Sequence, residues 1–487
     1  MKIKASKNVI APATQIVVSG IVLFVLYRYL YDNLGVAQIG VWSLVLAATS
    51  VSRIGDLGLS AGVVKFVAQA LGRDDEQRAV DIVQTVVLSL GIFMAVILAI
   101  GYPLFSMILG YLIPEQSIQI ALDILPYAVT SLWIMIIVGV LTGALDGCMR
   151  LDLRSLITAL SHVVFLGVTI YLVPEYGLRG VAIAQLIQSV GLLVLLWWAL
   201  KQQLRQLPIF PNQWKFSVLK DMFHYGLNFQ IITVMNMLFD PMVKALLSKF
   251  GGLEILGVYE MANGLILKCR AIIIEANRVM VPSIAKLGGG DREKARQMFT
   301  TAYNLNFYAS IFFYGLSGIF ATTICILWLG HYQVTFIYFV LMLNVGWFAN
   351  TIIGPAYFSN LGSGKLKPIM IAHAIIGMGS FILSMLFGSL YGGFGVVGGA
   401  VIGLISGSIF LLLEYFVSAG YRWTRIIIPQ GMAGFLIFAV ALIVSANGIA
   451  GVFIETELII GLALTCALVL AVALYSHPVR KALMKSE

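Results

Sequence analysis

The sequence predicts an all-α polytopic membrane protein of about fourteen transmembrane helices, with two parallel six-helix repeats around a central cavity and two extra helices at the C-terminal end. Three observations predict it. The chain is 60% hydrophobic and only 11% charged over 487 residues, whereas a soluble domain is about 25% charged. Its apolar residues form long runs separated by short polar turns, a pattern that no water-exposed surface tolerates. It also carries a weak copy of itself, displaced by a little under half its length.

In order, the apolar stretches run near 9–31, 36–57, 80–108, 118–145, 153–173, 178–200, 222–248, 255–284, 298–328, 333–358, 368–390, 395–419, 427–447 and 454–476. Each is long enough for a hydrocarbon core of about 30 Å. The first is too long for a typical signal-peptide apolar region and is read as a retained helix. The expected domains are a six-helix bundle over 1–205, a cytoplasmic linker over 206–220, a second bundle over 221–420, and helices 13 and 14 with a cytoplasmic tail over 421–487.

The net charge is +9, but in a membrane protein the position of the basic residues matters more than their sum. Loops on the N-terminal side carry Lys2, Lys4, Lys7, Arg73, Arg78, Arg150, Arg154, Lys201, Arg205, Lys286, Lys365, Arg422 and Lys485, among others, while the opposite side holds only Arg179 and Lys249. The asymmetry places both termini in the cytoplasm and leaves no basic cluster for nucleic acid.

The internal repeat sets Gly40 on Gly257, Trp42 on Tyr259, Arg53 on Arg270, Ala68 on Ala285 and Asp74 on Asp291. Further on, Tyr176-Gly-Leu-Arg-Gly-Val falls on Tyr391-Gly-Gly-Phe-Gly-Val. Six spans per copy is an even number, so the second copy enters from the same side as the first and the repeats are parallel. A cavity between two bundles is the expected consequence.

Charged side chains at membrane depth are costly and face a cavity or a partner. Here they gather in spans 1, 2, 7 and 8: Arg28; Arg53, Asp56 and Lys65; Asp240 and Lys244; Glu260, Lys268, Arg270, Glu275 and Arg278. At about 100° per residue, every strongly polar residue of span 8, including Asn263 and Asn277, lies on one half of the helix. Span 7 carries a narrower stripe of Gln230, Thr233, Asn236, Asp240 and Lys244. Pairing at helical spacing accounts for some charges, namely Arg53 with Asp56, Asp240 with Lys244, and Glu275 with Arg278, and Arg28 lies close enough to an interface to snorkel. Cations still outnumber acids in the set, which points to an anionic ligand.

Other patterns carry no chemistry. Gly393-Phe-Gly395-Val-Val-Gly398 fits a dinucleotide string but lacks the preceding strand, and Gly395, Gly399, Gly403 and Gly407 read instead as a smooth packing ridge. Gly364-Lys365 lacks the first glycine and the Ser or Thr of a phosphate loop, so no ATPase site is expected. Cys148, Cys269, Cys325 and Cys466 have no paired spacing, and His162, His224, His331, His373 and His477 show no metal spacing. Asp123, Asp146 and Glu414 are expected to pair locally. No nucleophile with a base stands out, so neither an enzyme nor a cofactor is predicted.

Two segments carry a family resemblance. Residues 40–80 (GVWSLVLAATSVSRIGDLGLSAGVVKFVAQALGRDDEQRAV) and their echo at 257–296 (GVYEMANGLILKCRAIIIEANRVMVPSIAKLGGGDREKAR) resemble the polysaccharide-transport branch of the multidrug, oligosaccharidyl-lipid and polysaccharide exporter superfamily, which includes the O-antigen-type (Wzx-type) flippases. Tyr176-GLRGVAIAQ and the span count extend the match along the chain. The resemblance implies a V-shaped pair of bundles in a bacterial inner membrane, carrying an undecaprenyl-diphosphate-linked oligosaccharide to the outer leaflet. It implies a polysaccharide polymerase and a chain-length regulator as partners, beside membrane lipid. Arg53, Arg270, Lys268, Arg278, Arg28, Lys244 and Lys65 are the expected diphosphate and sugar contacts, since guanidinium forks suit phosphate oxygens. Asp240, Asp56, Glu260 and Glu275 are candidates for ion coupling or charge pairing, and Asn236, Asn263 and Asn277 for polar cavity lining. A multidrug or cation antiporter of the same superfamily, favoured by Asp240, and a non-transporting scaffold for glycan assembly are the alternatives.

Overall fold

A computed structural model describes residues 2–50, 59–277, 292–420, 432–452 and 456–477. Among the described residues all regular structure is helical, as a bilayer requires of an open chain, because a helix satisfies its own backbone hydrogen bonds. The chain divides into two compact units, Met1–Lys249 and Phe250–Glu487.

The first unit contains α1 (Lys2–Leu34), α2 (Val36–Ser50), α3 (Leu59–Leu71), α4 (Glu76–Leu112), α5 (Glu115–Gly147), α6 (Leu151–Tyr176), α7 (Leu178–Gln203) and the first arm of α8 (Phe216–Asn277). Helix α5 is its hub, packing against α2, α3, α4 and α7, while α6 lies on α1 and α7. Helix α3 occupies part of what the hydropathy pattern leaves to a connection. Its Val63, Val67 and Ala70 are buried, and the approach depends on Gly147 of α5, where a Cβ would meet Val67 Cβ at 2.9 Å. Helix α4 is capped by Asp75, whose carboxylate accepts from Arg78 N at 2.8 Å.

The segment after α7 is a strap along α4. Gln206 N donates to Glu76 Oε1 at 3.1 Å, Asn212 N and Gln213 N share Gln84 Oε1 at 2.9 and 3.2 Å, and Lys215 N donates to Thr85 Oγ1 at 3.2 Å. Trp214 Nε1 reaches Ser89 Oγ at 2.9 Å, and Lys215 Nζ reaches the buried Asp81 at 2.5 Å. Polar side chains along one face of α4 therefore satisfy the backbone of a segment with no regular structure of its own.

The second unit contains the remaining arm of α8, α9 (Arg292–Ile319), α10 (Ala321–Leu329), α11 (Val334–Ile352), α12 (Gly354–Gly362), α13 (Leu366–Ser418), α14 (Met432–Val452) and α15 (Thr456–Ser476). Helices α9 and α10 meet at a bend of 51°. Pro355, which the sequence places inside a span, sits in the first turn of α12, where its missing N–H costs nothing. Helices α14 and α15 cover α9 through Phe307, Ile311, Ile319, Ala439, Ala446 and Leu470. Asn447 ties them to it, accepting from Thr322 Oγ1 at 2.7 Å and donating to Gly318 O at 2.8 Å.

Among the described residues, eight helices are long and apolar enough to cross a membrane, or nine if the bent pair is one span. The predicted stretches distribute over the helices unevenly. Stretches 7 and 8 are the arms of α8, stretches 11 and 12 the arms of α13, and stretches 9 and 10 are each broken into two helices.

The internal repeat appears as repeated backbone geometry. Gly35, at the α1–α2 break, has φ 79°, and its counterpart Gly252, at the break in α8, has φ 81°. Gly177 has φ 54° and ψ −135°, and Gly392 has φ 60° and ψ −142°, a conformation open to glycine because it has no Cβ. The α5–α6 turn, where Arg150 N donates to Leu145 O at 3.0 Å, recurs where Lys365 N donates to Asn360 O at 2.8 Å.

Candidate functional site

The membrane-depth charges fall into two described clusters, one in each unit. In the first unit, Lys244 on α8 is only 7% exposed. Its Nζ lies 2.9 Å from Asp240 Oδ2, one helical turn earlier, with the Asp240 side chain 43% exposed. Both line a cavity of about 200 Å³ together with Thr49 and Ser50 of α2, Ala128, Leu132 and Met135 of α5, and Gln185 of α7. Gln185 Oε1 accepts from Trp42 Nε1 at 3.4 Å, so its amide nitrogen remains available as a donor. The cavity combines a cation, a half-exposed carboxylate, two hydroxyls and an amide, with an apolar floor.

In the second unit, Arg270 lies on the charged half of α8, while Met261, Ala262, Ile266 and Ile273 of the apolar half are buried. Its Nη2 donates to Asn350 Oδ1 at 3.1 Å, and its guanidinium stands 4.9 Å from the ring centroid of Trp347. Its Nε is buried without a hydrogen-bond partner. No carboxylate among the described residues forms an ion pair with it. Indole stacking and a neutral amide thus hold a cation that keeps both its charge and a spare donor.

A neutral polar network extends from this point. Asn350 Nδ2 donates to Ser408 Oγ at 3.2 Å, Asn277 Nδ2 donates to Asn306 Oδ1 at 2.9 Å, and Asn306 Nδ2 donates to Thr351 O at 3.1 Å. Tyr314 Oη and Thr351 Oγ1 are 2.7 Å apart. Such networks fix side-chain positions without adding charge.

The remaining candidates are dispersed. Arg28 forms an ion pair with Asp32 at 2.8 Å, and Lys65 is exposed with its Nζ 5.5 Å from the Phe66 ring centroid. Lys268, Glu260 and Glu275 are partly buried on α8, and Asn263 is buried there. Arg53, Asp56 and Arg278 lie outside the described residues, as does the side chain of Asn236. Asp146 pairs with Arg154 at 2.6 Å. The four cysteines are free thiols, and among the described residues no group of three or more metal-ligating side chains occurs.

Sequence reasoning passed over Asn350, Trp347, Gln185, Thr49 and Ser50. A signal for them exists: each is a polar or amphipathic residue inside an apolar run, facing one of the charged positions once the helices pack.

A family model described as polysaccharide biosynthesis protein matches residues 34–300, more than half of the chain. The chain belongs to that family. None of the curated proteins compared with it matches in sequence. Among solved structures, the lipid II flippase MurJ in an inward closed conformation superposes with a TM-score of 0.71 at 13% identity, over 96% of this chain and 98% of that one. An inward-facing multidrug resistance MATE family transporter of the MOP superfamily gives 0.67 at 16% identity, over 82% and 98%. A MOP superfamily transporter from Pyrococcus furiosus, described as having a binding pocket of reversed polarity, gives 0.59 at 15% identity, over 86% and 95%. The polysaccharide biosynthesis chain therefore has the fold of MOP superfamily transporters and is a multi-pass membrane protein with the architecture of a transporter.

Proposed function

We propose that the chain is a flippase that moves an undecaprenyl-diphosphate-linked oligosaccharide repeat unit from the cytoplasmic to the outer leaflet of a bacterial inner membrane. Its product feeds the assembly of O-antigen, capsule or exopolysaccharide, and both termini lie in the cytoplasm. The observation that carries this reading is Arg270, a half-buried residue held by Asn350 and Trp347 whose buried Nε has an N–H to spare. A cation kept in that state is short of an anion, and the two phosphates of the carrier supply one. Lys244, Arg53, Lys268, Arg278, Arg28 and Lys65 are the further cations we assign to the diphosphate and the sugar. Membership of a polysaccharide biosynthesis family and the fold shared with a lipid II flippase support the choice of a lipid-linked glycan.

Transport by alternating access needs no group on the chain that breaks a covalent bond. Binding of the diphosphate offsets the repulsion among the cations, so the loaded carrier rearranges more readily than the empty one. A polysaccharide polymerase and a chain-length regulator would act on the product at the outer face.

One observation favours a second reading, a multidrug or cation antiporter: Asp240 is half-exposed in the cavity it lines. The deciding experiment is expression in a strain lacking its own flippase, with defined lipid-linked sugars. Restored glycan export is expected. Export of a cationic dye with no glycan transfer would favour the antiporter.

A further inference from the structure

The first unit contains a second concavity, apart from the one that holds Lys244. It opens between α5 and α7, measures about 490 Å³ and is lined by Asp123, Pro126, Tyr127, Thr130, Arg179 and Leu186, among others. That volume lies within the range of small-ligand sites, about 300–1,000 Å³.

Its polar groups are arranged as a set. Arg179 donates from Nε and Nη2 to Tyr127 Oη at 3.1 and 2.8 Å, with its guanidinium 5.5 Å from the Tyr127 ring centroid. Gln119 Nε2 donates to Asp123 Oδ1 at 3.1 Å, leaving Oδ2 open as an acceptor. Gln119, Asp123, Tyr127 and Thr130 succeed one another at helical spacing, so they form one polar stripe on α5. Ala128 and Gln185, on the same pair of helices, line the cavity that holds Lys244. The two concavities are therefore neighbours within one unit.

The chemistry of the set selects among ligands. Asp123 repels phosphate, which counts against a headgroup or diphosphate site. A hydrocarbon chain has no use for a carboxylate, a guanidinium, a phenol and a hydroxyl in one groove. A sugar ring suits them all: its hydroxyls both donate and accept, and its C–H face packs on an aromatic ring. We infer that the α5–α7 groove is a saccharide subsite that binds a sugar ring of the transported glycan, beside the cavity that holds Lys244. The source of that sugar rests on the flippase reading above.

The test uses the full chain in nanodiscs and two radiolabelled probes, undecaprenyl diphosphate N-acetylglucosamine and undecaprenyl diphosphate without sugar. The readout is the ratio of their affinities. The wild type should favour the glycosylated probe, and Tyr127→Ala or Arg179→Gln should lower that preference about tenfold, the scale of one or two hydrogen bonds. Asp123→Asn, which preserves shape, should lower it also and covers the case in which a larger change fails to fold. A wild type without preference, or variants that weaken both probes alike and keep the ratio, would overturn the subsite, the second result marking a headgroup contact. Transport of both probes is read separately in proteoliposomes. A wild type that prefers the sugar through these residues yet moves neither lipid keeps the subsite and defeats the flippase.

Discussion

In the first unit Lys244 reaches a carboxylate at 2.9 Å beside a cavity, whereas in the second unit Arg270 reaches, among the described residues, the amide of Asn350 and the ring of Trp347. Both cations lie on α8, and both are held at membrane depth. The difference is in what neutralises them. An ion pair cancels charge and fixes one rotamer, so Lys244 is close to balanced without a ligand. An amide and an indole orient a guanidinium without cancelling it, which leaves Arg270 dependent on an incoming anion. On the proposed flippase reading, Arg270 is the stronger anion grip and Lys244 the milder one, where a carboxylate tempers binding and favours release.

The largest test of this contrast is Arg270→Ala. Removing one partner of a buried charged contact costs about 2–5 kcal/mol, so flipping of a lipid-linked oligosaccharide in proteoliposomes should fall by about two orders of magnitude or more. Arg270→Lys should restore part of it, because the charge is kept and the fork is lost. Unchanged flipping in the alanine variant would remove the second unit from the anion site.

A tenfold effect, roughly, is expected of Lys244→Ala, since its charge is already balanced. Asp240→Asn sharpens the same point with the opposite sign: it frees Lys244 for the anion, so binding of undecaprenyl diphosphate should tighten. Complete loss of transport in Asp240→Asn, with cation export lost in parallel, would instead make Asp240 a coupling group.

The repeats also differ in how tightly they are packed. A Cβ on Gly395 would lie 1.9 Å from Phe387 O, while one on its counterpart Gly180 would lie 2.7 Å from Leu172 O. Overpacking costs about 1–3 kcal/mol, so Gly395→Ala should lower the thermal unfolding midpoint in detergent by several degrees and Gly180→Ala by less. Equal shifts would mean that both helix pairs relax to the same spacing.

The smallest effect concerns the strap. Lys215 is half-exposed but its partner Asp81 is buried, and Gln77 Nε2 still donates to that carboxylate at 3.1 Å, so Lys215→Met should lower stability by about 1–2 kcal/mol. A disulfide between Trp214→Cys and Ser89→Cys should leave flipping near the wild-type rate. Arrest by that bond would show that the strap must leave α4 during transport.

The strap marks where local sequence stops being informative. Residues 206–215 have no periodicity of their own, and their role appears only when Glu76, Gln84, Thr85 and Ser89 are seen to answer their backbone donors. Likewise Asp240 and Lys244 are legible as a pair because one helical turn joins them, while Asn350 and Trp347 are far from Arg270 in sequence and reach it by packing.

What the sequence determined by itself is everything that depends on short-range periodicity and solvent. Long apolar runs demand helices in a bilayer, and the match of Tyr176-Gly to Tyr391-Gly is legible in the sequence, whereas the breaks at Gly35, Gly252, Gly177 and Gly392 show in the backbone, which glycine takes freely there. The tertiary structure alone decided which neutral side chain meets which charge, that Gly147 admits α3 against α5, and that Tyr127 and Arg179 share a groove. Those outcomes depend on the rotation and spacing of helices distant in the chain, which arise from the summed packing of many side chains rather than from any local pattern.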